Sequence, residues 1–218
     1  ARWLIEHGWS LKALHRRILN SATYQQSSSL DARAFELDPN DRLLWRFPRR
    51  RLDVESWRDA VLAVAGNLDG TVGGPPQGLD TAGNLRRTLY GAVSRHNLDS
   101  FLRLFDFPDP NITADVRTST TVPLQQLFVL NSEFMMVQAK ALAARIAATG
   151  TPGEQDAARI RRAFFLLYAR PADEQEVQLG LDFLAAPPAL EGGEASALSR
   201  WEQYAQVLLG ANEFWFVE

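Results

Sequence analysis

From residue 121 onward the sequence repeats one pattern: apolar residues at three- and four-residue spacing, interrupted by proline, glycine or a short polar stretch. Such spacing lines up one face of a helix, so this half of the chain is expected to be a set of amphipathic helices. Pro123 suits the first turn of PLQQLFVLN, with Thr121 placed to cap it. Ser132 restarts a helix through EFMMVQAKALAARIAATG, closed by Gly150. Another runs from Gln155 to Ala169 and carries Ile160, Phe164, Leu167 and Tyr168. Pro171 opens ADEQEVQLGLDFLAA, whose acidic first turn suits the helix dipole. After a surface loop over 186–196, SRWEQYAQVLLGANEFWFVE reads as a last helix with an aromatic tail.

The first half is less regular. Ser10 caps LKALHRRILN, in which Leu11, Leu14, Ile18 and Leu19 form one stripe. Residues 21–40 read as a polar loop, and DRLLWRFPRRRLD as a short helix and turn ended by Pro48. Asp53 caps the next helix, where Val54, Trp57, Val61 and Val64 share a face and Gly66 weakens the end. Residues 69–84 form a Gly/Pro-rich loop without the GxGxxG or Gly-Lys-Ser spacing that cradles a nucleotide phosphate. LRRTLYGAVSRH fits a helix or a strand, LDSFLRLFD reads as a short helix, and FPDPNITAD as a proline-set loop. Trp3, Leu4 and His7 ahead of Gly8 look like the end of a helix, which predicts a further N-terminal segment of the domain before Ala1. The expected fold is mainly α: one irregular multi-helix domain over 1–218 with long Pro/Gly-rich loops. Within it, 1–120 is the loop- and Arg-rich half and 121–218 the regular helical half.

Composition narrows the chemistry. With 218 residues and 46% apolar content, the chain can build one large domain or two small ones. It contains no cysteine, which removes disulfides, thiolate zinc sites, iron–sulfur clusters and a cysteine nucleophile. Its three histidines, His7, His15 and His96, are too few for a histidine-rich metal site, and no metal is expected. No apolar run reaches the roughly 20 residues that span a bilayer. Charge is uneven: residues 1–105 carry a net +4 and residues 106–218 a net −7.

The strongest chemical signal is arginine beside carboxylate. Arg42, Arg46, Arg49, Arg50 and Arg51 stand near Asp38, Asp41, Asp53 and Glu55. Further along come Arg86, Arg87, Arg95 and Arg117, with Asp106 and Asp109 in FDFPDPN. Two readings stand side by side. Arg49, Arg50, Arg86, Arg87, Arg117, Asp106 and Asp109 are candidates for an anion- or glycan-binding or catalytic site, because guanidinium forks clamp carboxylate, sulfate or hydroxyl groups. Equally, an internal Arg–Asp network would fasten loops that lack regular structure.

Other constellations fit less well. RFPRRR with Trp45 and Phe47 is flanked by acidic residues, and the chain is acidic overall, so no nucleic-acid partner is expected. Asp106, Asp109 and Asn111 lack the spacing of a calcium loop. Ser27, Ser28 and Ser29 lack the nucleophile elbow that would join them to His15 or His96. Trp57 and Trp201 read as core, while the Phe214–Phe216 tail either packs back or docks elsewhere. No recognised catalytic constellation remains, and whether the chain is an enzyme is left open.

Six phrases, in order, carry a family resemblance: GWSLKALHRRILNSATYQQSS, DPNDRLLWRFPRRRLDVESWRDAVLAVAGNLD, NLRRTLY, FDFPDPN, RTSTTVPLQQLFVLNSEFMMVQA and WEQYAQVLLGANEFWFVE. The chain resembles the C-terminal two-thirds of the planctomycete-specific domain family, domain of unknown function 1553. The resemblance implies a place within a longer exported, extracytoplasmic protein. A cytochrome-c-like region and a second planctomycete-specific domain would stand upstream, and these upstream domains are the implied partners. It implies no cofactor in this chain, since any haem c would sit in that upstream region. It brings no catalytic residues to carry over.

Overall fold

A computed structural model describes residues 1–79, 83–151, 153–187 and 198–217. The fold is mainly α. Among these residues the helices are α1 (Arg2–Glu6), α2 (Leu11–Leu19), α3 (Ala32–Leu37), α4 (Val54–Ala65), α5 (Ser100–Leu104) and α6 (Pro123–Asn131). They continue with α7 (Glu133–Ala148), α8 (Asp156–Tyr168), α9 (Glu174–Ala185), α10 (Arg200–Gly210) and α11 (Asn212–Trp215). The described strands are two-residue pieces, β1 (Arg50–Arg51) and β2 (Phe216–Val217), which make up one two-stranded sheet. The chain divides into two compact units: Ala1–Arg50 with the residues from Phe216 onward, and Arg51–Trp215.

In the first unit, Ser10 Oγ accepts from the Ala13 amide at 3.2 Å and starts α2 where the sequence placed it. Residues 21–40, expected as loop throughout, contain α3. Asp31 Oδ1 accepts from the Ala34 amide at 2.8 Å, and this cap starts a helix within a segment whose composition looked irregular. The short helix expected within 41–52 does not form. Asp41 takes φ of 53° and Leu44 of 56°, and the Asp41 carboxylate accepts from the Trp45 amide at 2.9 Å. Local side-chain bonding has replaced the helical ladder there. Asp38 Oδ2 accepts from the Leu43 amide at 2.7 Å, and the Trp45 indole donates to the Asp38 carbonyl at 2.9 Å. No apolar side chain of residues 1–50 is buried.

The second unit has a dense core. Asp53 caps α4 through a 2.9 Å bond from the Ser56 amide, and Gly66, at φ of 83°, ends it. Val54, Trp57 and Val61 are buried as the stripe predicts, whereas Val64 is only half-buried. Trp57 stacks on Trp215 with centroids 4.3 Å apart and lies 5.1 Å from Phe105, which meets Phe128 edge-on at 5.4 Å. α7 lays Met135, Ala139, Leu142 and Ile146 against this core, and α10 adds Tyr204, Leu208 and Leu209. The tail question is settled for Phe214 and Trp215, which pack back and are buried.

Caps differ from expectation at two places. Val122 occupies the cap position of α6 in place of Thr121, and Gln125 Oε1 reaches back to its amide at 3.5 Å. α9 begins after Asp173 rather than at Pro171, because Asp173 and Glu176 exchange two 2.8 Å bonds in a capping box. LRRTLYGAVSRH is neither helix nor strand: a 3₁₀ turn, Thr88–Tyr90, is flanked by single bridges of Asp69 to Arg86 and Gln77 to Gly91. Most of the expected 186–196 surface loop lies outside the described residues.

Candidate functional site

Within the second unit the candidate charges do not gather at one point. Arg49 and Arg50 lie in the first unit, and the other five lie in the second. Arg86 points back into the Gly/Pro-rich loop. It donates to the carbonyls of Pro75 at 3.1 Å, Thr71 at 3.3 Å and also Gly73, with its guanidinium over the Tyr90 ring at 4.4 Å. Arg87 reaches Asp59 at 3.3 Å. Arg117 forms a two-pronged pair with Glu55 at 2.7 and 2.8 Å, and stands 3.6 Å from Asp53. The Glu55 bonds raise the Arg117 pKa above its ordinary value. Asp106, at φ of 61°, accepts from Thr120 Oγ1 at 2.7 Å and from the Thr120 amide at 2.8 Å. Asp109 accepts from the Asn111 amide at 2.9 Å, a short turn of its own.

The network's centre falls on Arg58 and Asp59 of α4, outside the candidate set. Arg58 is 1% exposed. Its Nη1 donates to the Arg86 carbonyl at 2.9 Å and to Thr88 Oγ1 at 3.2 Å, and its Nη2 donates to the Asn84 carbonyl. Burial pushes its pKa below the ordinary arginine value, partly offset by Asp59 and Asp99. Beside it, Asp59 Oδ1 accepts from both the amide and the hydroxyl of Thr88 at 2.7 Å. Adjacent residues of α4 thus grip one turn of loop from two directions. Spacing carried the signal: Val54, Arg58 and Leu62 lie four residues apart on the same helix face, so Arg58 was bound to point inward.

Gln125 is a second hub, 2% exposed on α6. Its Oε1 accepts from Arg51 Nη2 at 2.9 Å, and its Nε2 donates to the Leu104 carbonyl at 3.0 Å and to Asp106 Oδ2 at 3.5 Å. Arg51 also donates to the Thr120 carbonyl. Burial lowers the Arg51 pKa, and Asp106 opposes the shift.

Two of the clefts in the second unit are lined by these charges. One, of about 430 Å³, lies along the start of α4, with Asp53, Glu55, Asp59 and Arg87 over a floor of Leu102 and Phe107. The other, of about 780 Å³, lies between α5 and α6 and includes Asp99, Arg103, Asp106, Thr120 and Leu124. Asp106 and Arg87 therefore face different cavities. Among the described residues, no group of three or more His, Asp or Glu side chains is gathered to hold a metal ion. Trp45, next to the basic run, has Arg46 over its ring at 4.9 Å. Trp201 donates to Asp156 at 3.2 Å. No helix of the described residues is long and apolar enough to cross a membrane.

A family model described as PSD1, protein of unknown function (DUF1553), matches residues 1–184. The chain belongs to that family. No curated protein and no solved structure matches it. In this DUF1553 chain the matched region takes in α1 to α8 and most of α9, together with both hubs, Arg58 and Gln125.

Proposed function

We propose that this DUF1553 chain is a non-catalytic interaction domain of a larger exported, cytochrome-c-associated polypeptide. Its partners are the other domains of that polypeptide, and any haem c is held there rather than here. One observation carries the reading: residues 1–50 form amphipathic helices whose apolar side is left in solvent. Leu11, Ile18 and Leu19 of α2 are exposed, as are Trp9 and Leu37. Faces of this kind mark surfaces that pack against another chain or domain. The export and cytochrome context rests on the resemblance of the sequence to its family.

The employment of the charges supports the same reading. A catalytic acid, base or clamp needs hydrogen-bonding capacity directed at a substrate. Arg86 is spent on three loop carbonyls, Arg117 on Glu55, and Asp106 on Thr120 and Gln125. These are fastenings of irregular backbone. A glycan or anion site built on Arg86, Arg87, Arg117, Asp106 and Asp109 draws less support, because those groups bond to the chain itself and Arg87 and Asp106 line different clefts.

The test is hydrogen exchange on the full-length polypeptide and on the isolated 218-residue chain. Amides of residues 10–20 are expected to be protected in the longer protein and to exchange faster in the isolated chain. Equal exchange in both would overturn the interaction reading.

A further inference from the structure

The cleft between α5 and α6 contains a charge that no other described residue engages. Arg103, exposed on the last turn of α5, lines this cavity, and its guanidinium makes no hydrogen bond or ion pair among the described residues. The two carboxylates beside it are already committed. Asp99 accepts from the Phe101 amide at 2.9 Å and the Leu79 amide at 3.2 Å, and Arg58 stands behind it as a counter-charge. Asp106 is bonded to Thr120 and Gln125, with Arg51 as its counter-charge. Both lining carboxylates are thus occupied by donors of the chain itself, and the Arg103 guanidinium offers the cleft a planar, two-pronged donor.

Around that charge the lining is of two kinds. Ser94, Asn97 and Ser100 supply short neutral hydrogen-bonding groups, and Leu104, Val122 and Leu124 supply an apolar wall. The volume, about 780 Å³, falls within the range of small-molecule sites. We infer that this cleft binds a carboxylate flanked by hydroxyl groups, the chemistry of an acidic sugar or a small hydroxy acid. The carboxylate pairs with the Arg103 fork, the hydroxyls meet the serine and asparagine groups, and the C–H face of the ligand lies on the leucine wall. This inference is independent of the interaction role of residues 1–50.

Calorimetric titration of the 218-residue chain with galacturonate, trigalacturonate and galactose tests it. Galacturonate is expected to bind and galactose to bind at least about tenfold more weakly, since it lacks the charged partner. Tighter binding of the trimer points to a polysaccharide as the source, and equal binding of monomer and trimer to a small hydroxy acid. Arg103→Gln should weaken galacturonate about ten- to a hundredfold, whereas Arg33→Gln, the same charge change on α3, should leave it unaltered. Arg103→Lys keeps the charge without the fork and should fall between, which carries the test should Arg103→Gln fail to fold. No binding of either uronate at about 10 mM, binding of galactose equal to galacturonate, or equal losses in Arg103→Gln and Arg33→Gln would each overturn the inference.

Discussion

Residues 1–50 and residues 51–215 are built from the same kinds of helix but held by different forces. The second region buries Trp57, Leu62, Met135, Leu142 and Ile160 completely, and runs an aromatic chain from Phe128 through Phe105 to Trp215. The first buries no apolar side chain at all; caps and turns from Ser10, Asp31, Asp38 and Asp41 define its shape. Local hydrogen bonds select a conformation but contribute only about 1 kcal/mol each, whereas apolar burial gives about 25 cal/mol per Å² and grows with every contact. Sequence periodicity alone does not separate the two cases. α2 has as clean a stripe as α4, yet Leu11 and Ile18 lie in solvent while Trp57 and Val61 have no exposure.

Substitutions can break or sharpen this contrast. The largest effect is expected from Trp57→Ala, which removes the ring stacked on Trp215 and tilted against Phe105. Urea denaturation should show a loss of about 4 kcal/mol; a loss below about 1 kcal/mol would mean that the aromatic chain is not what holds residues 51–215 together. Arg58→Ala comes next, at about 3 kcal/mol, because it strands the carbonyls of Asn84 and Arg86 in a buried place. Arg86→Ala, nearer the surface, should lose about 1.5 kcal/mol and speed proteolysis within residues 70–78 while leaving the helical circular dichroism unaltered. Ile18→Ala on the exposed α2 face should stay within about 0.5 kcal/mol in the isolated chain.

Acid should also reach the second region. The Arg162 guanidinium holds Glu154, and that of Arg170 holds Glu176, below the usual carboxylate range. Carboxylates with a depressed folded pKa contribute stability that is complete above their unfolded value and lost as the pH falls through the folded one. The melting temperature of residues 51–215 should therefore be level above pH 4.5, the ordinary Glu value, and drop below it. Glu154→Gln together with Glu176→Gln should flatten that drop, and an unaltered acid profile in the double variant would remove these pairs from the account.

Much of the fold was legible in the sequence because caps and stripes are local signals. Ser10, Asp53 and Ser132 start helices where their side chains predicted. α3 escaped because Asp31 caps a helix of only six residues inside polar sequence. The expected helix after Asp41 failed because an aspartate in the left-handed region bonds its own downstream amides. The charge network was legible in kind and not in membership. Arginine beside carboxylate in loop-rich sequence pointed to an Arg–Asp network fastening loops; Arg117 pairs with Glu55 in that way, whereas Arg86 fastens its loop through backbone carbonyls. Which residues stand at the hubs depends on contacts across the chain: Arg58 meets loop residues near position 86, and Gln125 meets Arg51. Arg103 carries no sequence signal, because a guanidinium without a partner among the described residues is a fact of three-dimensional placement.

The stacking of Trp57 on Trp215 has a consequence for the order of events during synthesis. Leu52 also donates its amide to the Trp215 carbonyl at 2.8 Å, so the start and the end of this region close on each other. Helices α4 to α10 can form as they emerge, but their shared interior stays unsealed until Trp215 has been made. Contacts between such distant positions form slowly. A nascent chain halted before Trp215 would present Trp57 and Phe105 to solvent, and such a fragment is exposed to aggregation in a way the finished domain is not.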